Sequence, residues 1–245
     1  MGLKVLFSDI DGTCVHYSDS GRIRLIRRQT ENGDVWEANS ATNGLSSEVL
    51  VLPRSTSGSK GFISKFTLQL FAAVRQMGIK LVLISGCRST TLLQRLPFLP
   101  FADAYVCESG GRIFYLNSDL PTAVRLKEDT AWRARHEAAG PTNQEDLDPN
   151  ERAGVLWSYY EALVDAHFKV DAVGYSTAIR IRTSADRRDT LPQLPPELTA
   201  AENLGSIDIF PATSGKLNAA VYLMNKFGAD ENGKDSIFMC GKSAA

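Results

Sequence analysis

The stretch KVLFSDIDGT, residues 4–13, ends an oily run in two carboxylates one residue apart, Asp9 and Asp11, followed at once by Gly12 and Thr13. In an extended chain residues i and i+2 point the same way, so both acids face one side. At the C-terminal end of a strand in a parallel sheet they occupy the place where open α/β sheets bind ligands. Gly12 lets the backbone turn there without a side chain. Close like charges repel, and a cation relieves the repulsion; oxygen ligands with no His or Cys favour Mg²⁺. A strand-ending turn with Asp as a local cap is the plainer role, and it suits a lone Asp better than this pair. An EF-hand loop fits poorly, because Gly is wanted at its sixth position and Gly12 would be only the fourth.

Two further stretches carry groups suited to an anion. In LVLISGCRS, Ser85 ends a strand and Gly86 opens a turn into a helix. A small hydroxyl with free backbone N–H groups at a helix N-terminus makes an anion cradle, although Ser85 or Ser89 as a simple N-cap satisfies the same pattern. Arg88 either guides a substrate or is a solvated helix residue. In DIFPATSGKLNAA, Lys216 falls in the first turn of a helix. The macrodipole disfavours an exposed cation there by a few tenths of a kcal/mol, so the placement points to an anion nearby; a solvated surface Lys is the alternative.

The elements that must position these groups alternate. Residues 4–8 read as a strand buried on both faces. Residues 17–60 form a β-rich excursion, with short strands at 23–26, 35–38 and 48–52 and hairpin signals at Asn32-Gly33 and Asn43-Gly44. Phe66, Leu70, Ala73, Val74 and Met77 recur at helical spacing, with Gly78 as a C-cap. A strand at 80–84, a helix at 89–96 stopped by Pro97 and a strand at 104–107 follow. This rhythm predicts βαβ units and a parallel sheet. The middle reads as amphipathic helices at 127–139 and 151–168 and strands at 169–175 and 177–182, the second alternating Ile with Arg. The sheet pattern resumes with a strand at 207–210, a helix at 216–227 and a last strand at 236–240. Trp132, Trp157, Tyr159 and Tyr160 sit at helical spacings and are expected in the core of the inserted block.

DIDGT after a hydrophobic strand resembles the first motif of the haloacid dehalogenase-like (HAD) phosphatase superfamily. The resemblance implies that Asp9 attacks a phosphoryl group to form an aspartyl-phosphate. It implies that Asp11 protonates the leaving oxygen and then activates water, and that Mg²⁺ is held by the Asp9 side chain and the Asp11 carbonyl. Gly12 and Thr13 would then line the phosphate, Ser85 and Gly86 fall at the second motif, and Lys216 matches the Lys of the third. DIFP and ESGGRIFY resemble the Cof-type branch, which carries an α+β cap between the second and third motifs. The expected architecture is α/β: a Rossmann-like core from residues 1–115 and 207–245, with a C2-type cap at 116–206. The fourth motif departs. The family reads Gly-Asp after the last strand with another Asp beyond, whereas this chain reads FMCGKSAA, with Lys242 where the first acid belongs. The core is therefore expected to be cut short at its C-terminal end. Three readings stay open: a shortened product of a complete gene, a degenerate member that binds phosphates without turnover, or replacement of the acids by another carboxylate such as Asp208 or Asp235.

The chain has 245 residues, 43% hydrophobic and 22% charged, with a net charge of −1. Such a charge leaves no basic footprint for nucleic acid or an anionic membrane. No apolar run approaches the ~20 residues of a membrane helix. The four cysteines, Cys14, Cys87, Cys107 and Cys240, form no CxxC pair, so a reduced, cytoplasmic protein is expected. The expected function is Mg²⁺-dependent hydrolysis of a small phosphorylated metabolite, a sugar phosphate in the first instance. The rival is a catalytically inactive phosphate-binding or regulatory protein, and oligomeric state cannot be read.

Overall fold

The computed structural model describes residues 2–18, 23–31, 33–54, 60–117, 119, 125–182, 190–203 and 205–241. In chain order the strands and helices are β1 (Val5–Asp9), β2 (His16–Tyr17), β3 (Ile23–Thr30), β4 (Gly33–Ser40), β5 (Ser46–Val51), β6 (Gly61–Ser64), α1 (Lys65–Gln76), β7 (Lys80–Ile84), α2 (Ser89–Arg95), β8 (Ala104–Cys107), β9 (Arg112–Leu116), β10 (Leu126–Glu128), α3 (Thr130–Arg133), α4 (Val155–Asp165), β11 (Val170–Asp171), β12 (Ile179–Ile181), β13 (Leu198–Asn203), β14 (Ser206–Pro211), α5 (Lys216–Lys226) and β15 (Ser236–Met239). They divide into two compact units, Met1–Leu83 with Thr91–Asp103 and Met224–Ala245, and Ile84–Thr90 with Ala104–Leu223. These units are drawn differently from the core and cap segments expected above.

In the first unit β1 lies between β7 and β15. It pairs with β15 in parallel, Phe7 opposite Phe238, and those two rings stack at 4.5 Å. Val5, Leu6, Phe7 and Ser8 are all buried, as a strand covered on both faces requires. The excursion is a five-stranded antiparallel sheet in the order β2-β6-β5-β4-β3. Its hairpin closes at Thr30 and Gly33; Asn32 lies outside the described residues. Strand β6 was not expected, because GFIS offers only four residues before α1 begins. Ser64 caps α1, accepting from the Thr67 N–H at 2.9 Å. The expected apolar face of α1 is not its buried face. Phe66, Leu70 and Met77 are exposed, and Phe71 is the residue the helix buries. Helical spacing reports a stripe, and what covers it is a tertiary matter.

In the second unit β8, β9 and β10 are joined antiparallel. A four-stranded antiparallel sheet runs β11-β12-β14-β13. The Ile–Arg alternation of β12 works as the period of two demands: Ile179 and Ile181 are buried in a core with Trp157, Leu156, Leu163 and Ile209, while Arg180 turns to the other face. Each such aliphatic side chain contributes about 1.5–3 kcal/mol by leaving water. The helix expected over 127–139 is instead β10, the single turn α3 and a further 3-10 turn, Glu137–Ala139. Asp129 makes the break. Its carboxylate accepts from the Trp132 N–H at 3.0 Å and from the Tyr115 and Tyr222 hydroxyls at 2.9 Å, so the helix starts after it. Trp132, Trp157 and Tyr159 are buried as expected.

His136 is fully buried and its Nδ1 lies 3.0 Å from Thr213 Oγ1. Burial, reinforced by the Arg133 and Arg135 charges, pulls its imidazole down to about 4. The folded value lies below the ordinary ~6.5. The stability this neutral ring contributes is therefore complete above about pH 6.5 and is lost as pH falls toward 4. An NMR titration of the His136 ring proton should show a midpoint near 4; a midpoint at the solution value would contradict the burial.

Candidate functional site

Asp9 ends β1 with Phe7 and Ser8 buried behind it, and its Oδ1 accepts from the Ile10 N–H at 3.1 Å. The chain then winds one tight turn. Cys14 and Val15 N–H groups donate to the Ile10 carbonyl at 3.2 and 2.9 Å, and Gly12 N–H donates to the Val15 carbonyl at 2.8 Å. Gly12 has φ +79°, a conformation that side-chain-bearing residues adopt at a cost. The turn keeps Asp9, Asp11, Gly12 and Thr13 together in the first unit.

Two residues that sequence reasoning missed hold Asp11. Arg95, 3% exposed at its side chain, donates from Nη1 to Asp11 Oδ1 at 2.9 Å. The Tyr17 hydroxyl donates to the same oxygen. Burial, and then the Asp11 charge, pushes the Tyr17 phenol up, so it is a donor at neutral pH. The guanidinium is 84 residues from Asp11 in sequence; an Arg in the apolar run TTLLQRL is the one local hint. Burial, with Asp11 and Asp9 adding to it, pushes the Cys14 thiol up to about 12, which keeps this neighbour protonated and unreactive. β15 returns beside the turn. Gly241 N–H donates to Thr13 Oγ1 at 2.5 Å, and a Cβ at 241 would overlap the Gly12 carbonyl.

The second unit holds the other expected residues. Ser85 is buried and its Oγ accepts from the Cys87 N–H at 3.0 Å, an ST-turn that opens the approach to α2. Arg88 is engaged: its Nη2 lies 2.5 Å from Asp171 Oδ2 and its guanidinium 4.9 Å from the Tyr175 ring centroid. Lys216 opens α5. Glu108, also missed, is fully buried, and its Oε2 accepts from the Ser176 N–H, the Thr177 N–H and the Thr177 hydroxyl at 2.7–2.8 Å. Glu108, Ser109 and Gly110 all have positive φ. Gly110, at φ +103°, lies against Gly215 and Lys216, where a Cβ would overlap the Gly215 carbonyl. Gly110→Ala is therefore expected to destabilise the fold by at least about 2 kcal/mol. The measurement is a urea unfolding series; a loss under about 0.5 kcal/mol would show that the Gly215–Lys216 turn yields freely.

Asp208 and Asp235, the two carboxylates considered as substitutes for the fourth-motif acids, are engaged elsewhere. Asp208 is buried and takes a bidentate ion pair from Arg180, at 2.5 and 2.9 Å, with Ser109 Oγ donating at 3.2 Å. Asp235 pairs with Lys4 Nζ at 3.2 Å. It precedes Ser236, whose register partner is Val5, so it stands at the end of β1 opposite Asp9. Lys242 lies outside the described residues. Among the described residues no group of three or more His, Cys, Asp or Glu is placed to hold a metal ion. To the Mg²⁺ that the resemblance implies, the described residues offer the Asp9 carboxylate and the Asp11 carbonyl with no third His, Cys, Asp or Glu grouped beside them. No described helix is long and apolar enough to cross a membrane.

No protein-family model matches the sequence. No curated protein matches it either. Solved structures do match over 97% of the chain. A protein of Thermoplasma acidophilum superposes with a TM-score of 0.56 at 10% identity, over 76% of its own length. The sucrose-phosphatase of Synechocystis sp., solved with sucrose and phosphate, superposes at 0.55 with 13% identity over 75% of its length. A phosphatase of the haloalkanoate (HAD) enzyme superfamily from Bacteroides thetaiotaomicron superposes at 0.53 with 12% identity over 76%.

Proposed function

We propose that this chain, which has the fold of the HAD superfamily phosphatases, is a phosphomonoester hydrolase that uses Asp9 as its nucleophile. The observation that carries the reading is the placement of Asp9 and Asp11 on one tight turn at the C-terminal end of a fully buried parallel strand. That is the ligand-binding end of an α/β sheet. In the first step an Asp9 carboxylate oxygen forms a bond to phosphorus as the ester P–O bond breaks, and the leaving oxygen takes a proton from Asp11. In the second, water attacks phosphorus, the P–O bond to Asp9 breaks, and Asp11 takes the water's proton. Splitting one displacement into two lowers each barrier. Arg95 and Tyr17 both donate to one Asp11 oxygen, which orients the carboxyl. A neighbour in fold that is a sucrose-phosphatase supports a sugar phosphate as the substrate class.

A second reading, phosphate binding without turnover, draws on the engagement of Asp208 with Arg180 and of Asp235 with Lys4. One assay separates the two. Phosphate release is measured from a panel of sugar phosphates, with and without added Mg²⁺. Turnover with any member supports hydrolysis. No release by a folded sample that binds inorganic phosphate in calorimetry establishes the second reading, and neither release nor binding removes both.

A further inference from the structure

Helix α1 packs on β5 and β6 in the first unit and buries Phe71, with Thr67, Leu68, Val74 and Arg75 half-buried beside it. Its opposite side is exposed. Phe66, Leu70 and Met77 are 62%, 51% and 75% exposed, and Ala73 is exposed between them. These four recur at spacings of 4, 3 and 4, the seam of a helix pair. The exposed positions that flank them are Gln69, Ala72 and Gln76, so from Phe66 to Met77 the outer side presents no exposed charge. The two cations of the helix are each engaged, Lys65 with Glu48 and Arg75 with Asp103. A surface helix ordinarily presents charged and polar residues to water, and a contiguous apolar stripe marks an interaction surface.

The occupant that this stripe suits is its own copy. Across a two-fold axis a patch meets itself, so any charge in it would face its like. This patch has none, and the net charge of −1 leaves little to hold two copies apart. The 4-3-4 spacing reads the same in both directions, so an antiparallel copy keeps every position in register. Phe66 then meets the partner's Met77, a favourable sulfur–aromatic contact. Leu70 meets the partner's Ala73, large against small. The antiparallel sense also sets each helix N-terminus beside the partner's C-terminus, which favours the two macrodipoles. An anionic or cationic partner finds no complementary charge on this face.

We propose that this chain forms a two-fold dimer through antiparallel packing of α1 on the α1 of a second copy. A pair of 12-residue helices buries roughly 800–1,000 Å² in total, below the range of stable interfaces. The dimer is therefore weak, with Kd on the order of 10–100 µM. The stripe contains no residue assigned to hydrolysis, so the dimer and the phosphatase reading stand or fall separately.

Sedimentation equilibrium of the intact chain, from about 1 to about 200 µM, tests the dimer. The mean mass should rise from that of one chain, 26.8 kDa, toward twice that value. Leu70→Glu puts an acid at the centre of the seam, at an exposed position, and should weaken the association at least about 30-fold. Ala73→Lys should do the same, and it decides the matter if Leu70→Glu fails to fold. An equimolar mixture of the two variants should recover association to within about 10-fold of the original, because the antiparallel register sets the new acid against the partner's new ammonium. A mass that stays at one chain at every concentration would overturn the proposal, and the stripe would then be covered by another protein or by nothing. So would association unmoved in the variants, which would place the contact elsewhere, or a mixture that fails to recover, which would exclude the antiparallel register.

Discussion

Asp9→Asn is expected to lower phosphate release from any sugar phosphate that the chain hydrolyses by at least about 10³-fold, to the buffer background. The change is nearly isosteric. The amide oxygen can still accept from the Ile10 N–H that now meets Asp9 Oδ1 at 3.1 Å, so the turn from Ile10 to Val15 should persist. What is lost is the anionic oxygen that forms the covalent bond to phosphorus. An unfolding midpoint within about 2 °C of the original separates this loss from a folding defect. Binding of inorganic phosphate should survive, because removing a negative charge does not weaken an anion site. Persistent turnover in Asp9→Asn would mean that another group attacks phosphorus, and the two-step scheme would fall.

The second large effect concerns stability. Asp208→Ala is expected to cost about 3–5 kcal/mol, which lowers the unfolding midpoint by roughly 6–20 °C for a chain of this size. Asp208 stands opposite Arg180 in the β12–β14 register. It receives both arms of the guanidinium, and its side chain is 5% exposed against 21% for Arg180. Removing the acid strands a largely buried cation that keeps, among the described residues, the Gly86 carbonyl at 3.2 Å as an acceptor. Arg180→Met combined with Asp208→Leu should recover most of the loss, since replacing both partners leaves no unpaired charge. Calorimetry on the two variants decides it. A cost of under about 1 kcal/mol for Asp208→Ala would show that the pair is dispensable, and would return Asp208 to consideration as a ligand-binding carboxylate.

These two residues mark how far the chain could be read before folding. Everything that singles out Asp9 as a candidate is local: the apolar run before it, the second acid two residues on, and Gly12 to turn the backbone. What commits Asp208 is not local. DIFP shows an acid in an apolar strand, and only the pairing of β12 with β14 shows that the acid is spent on Arg180 rather than available for a ligand. Arg88 is similar. Its place after Ser85 and Gly86 suits a substrate guide, and the fold sets it against Asp171 and Tyr175.

Sequence by itself determined the features whose causes lie within a few residues. These are the buried β1, the positive-φ turn at Gly12, the Ile–Arg alternation of β12, the caps and the alternating α/β order. Steric limits on φ and ψ, and the periods of two and 3.6, act at that range. Tertiary structure alone decided which polar groups meet. It joined Arg95 and Tyr17 to Asp11, gave Glu108 the backbone of Ser176 and Thr177, and set Gly110 against Lys216. It also left Phe66, Leu70 and Met77 exposed on a helix whose spacing predicted a buried face. The physical reason is the same in each case. A hydrogen bond or ion pair depends on a separation of about 3 Å, and residues tens of positions apart reach it only after the chain has closed the loops between them.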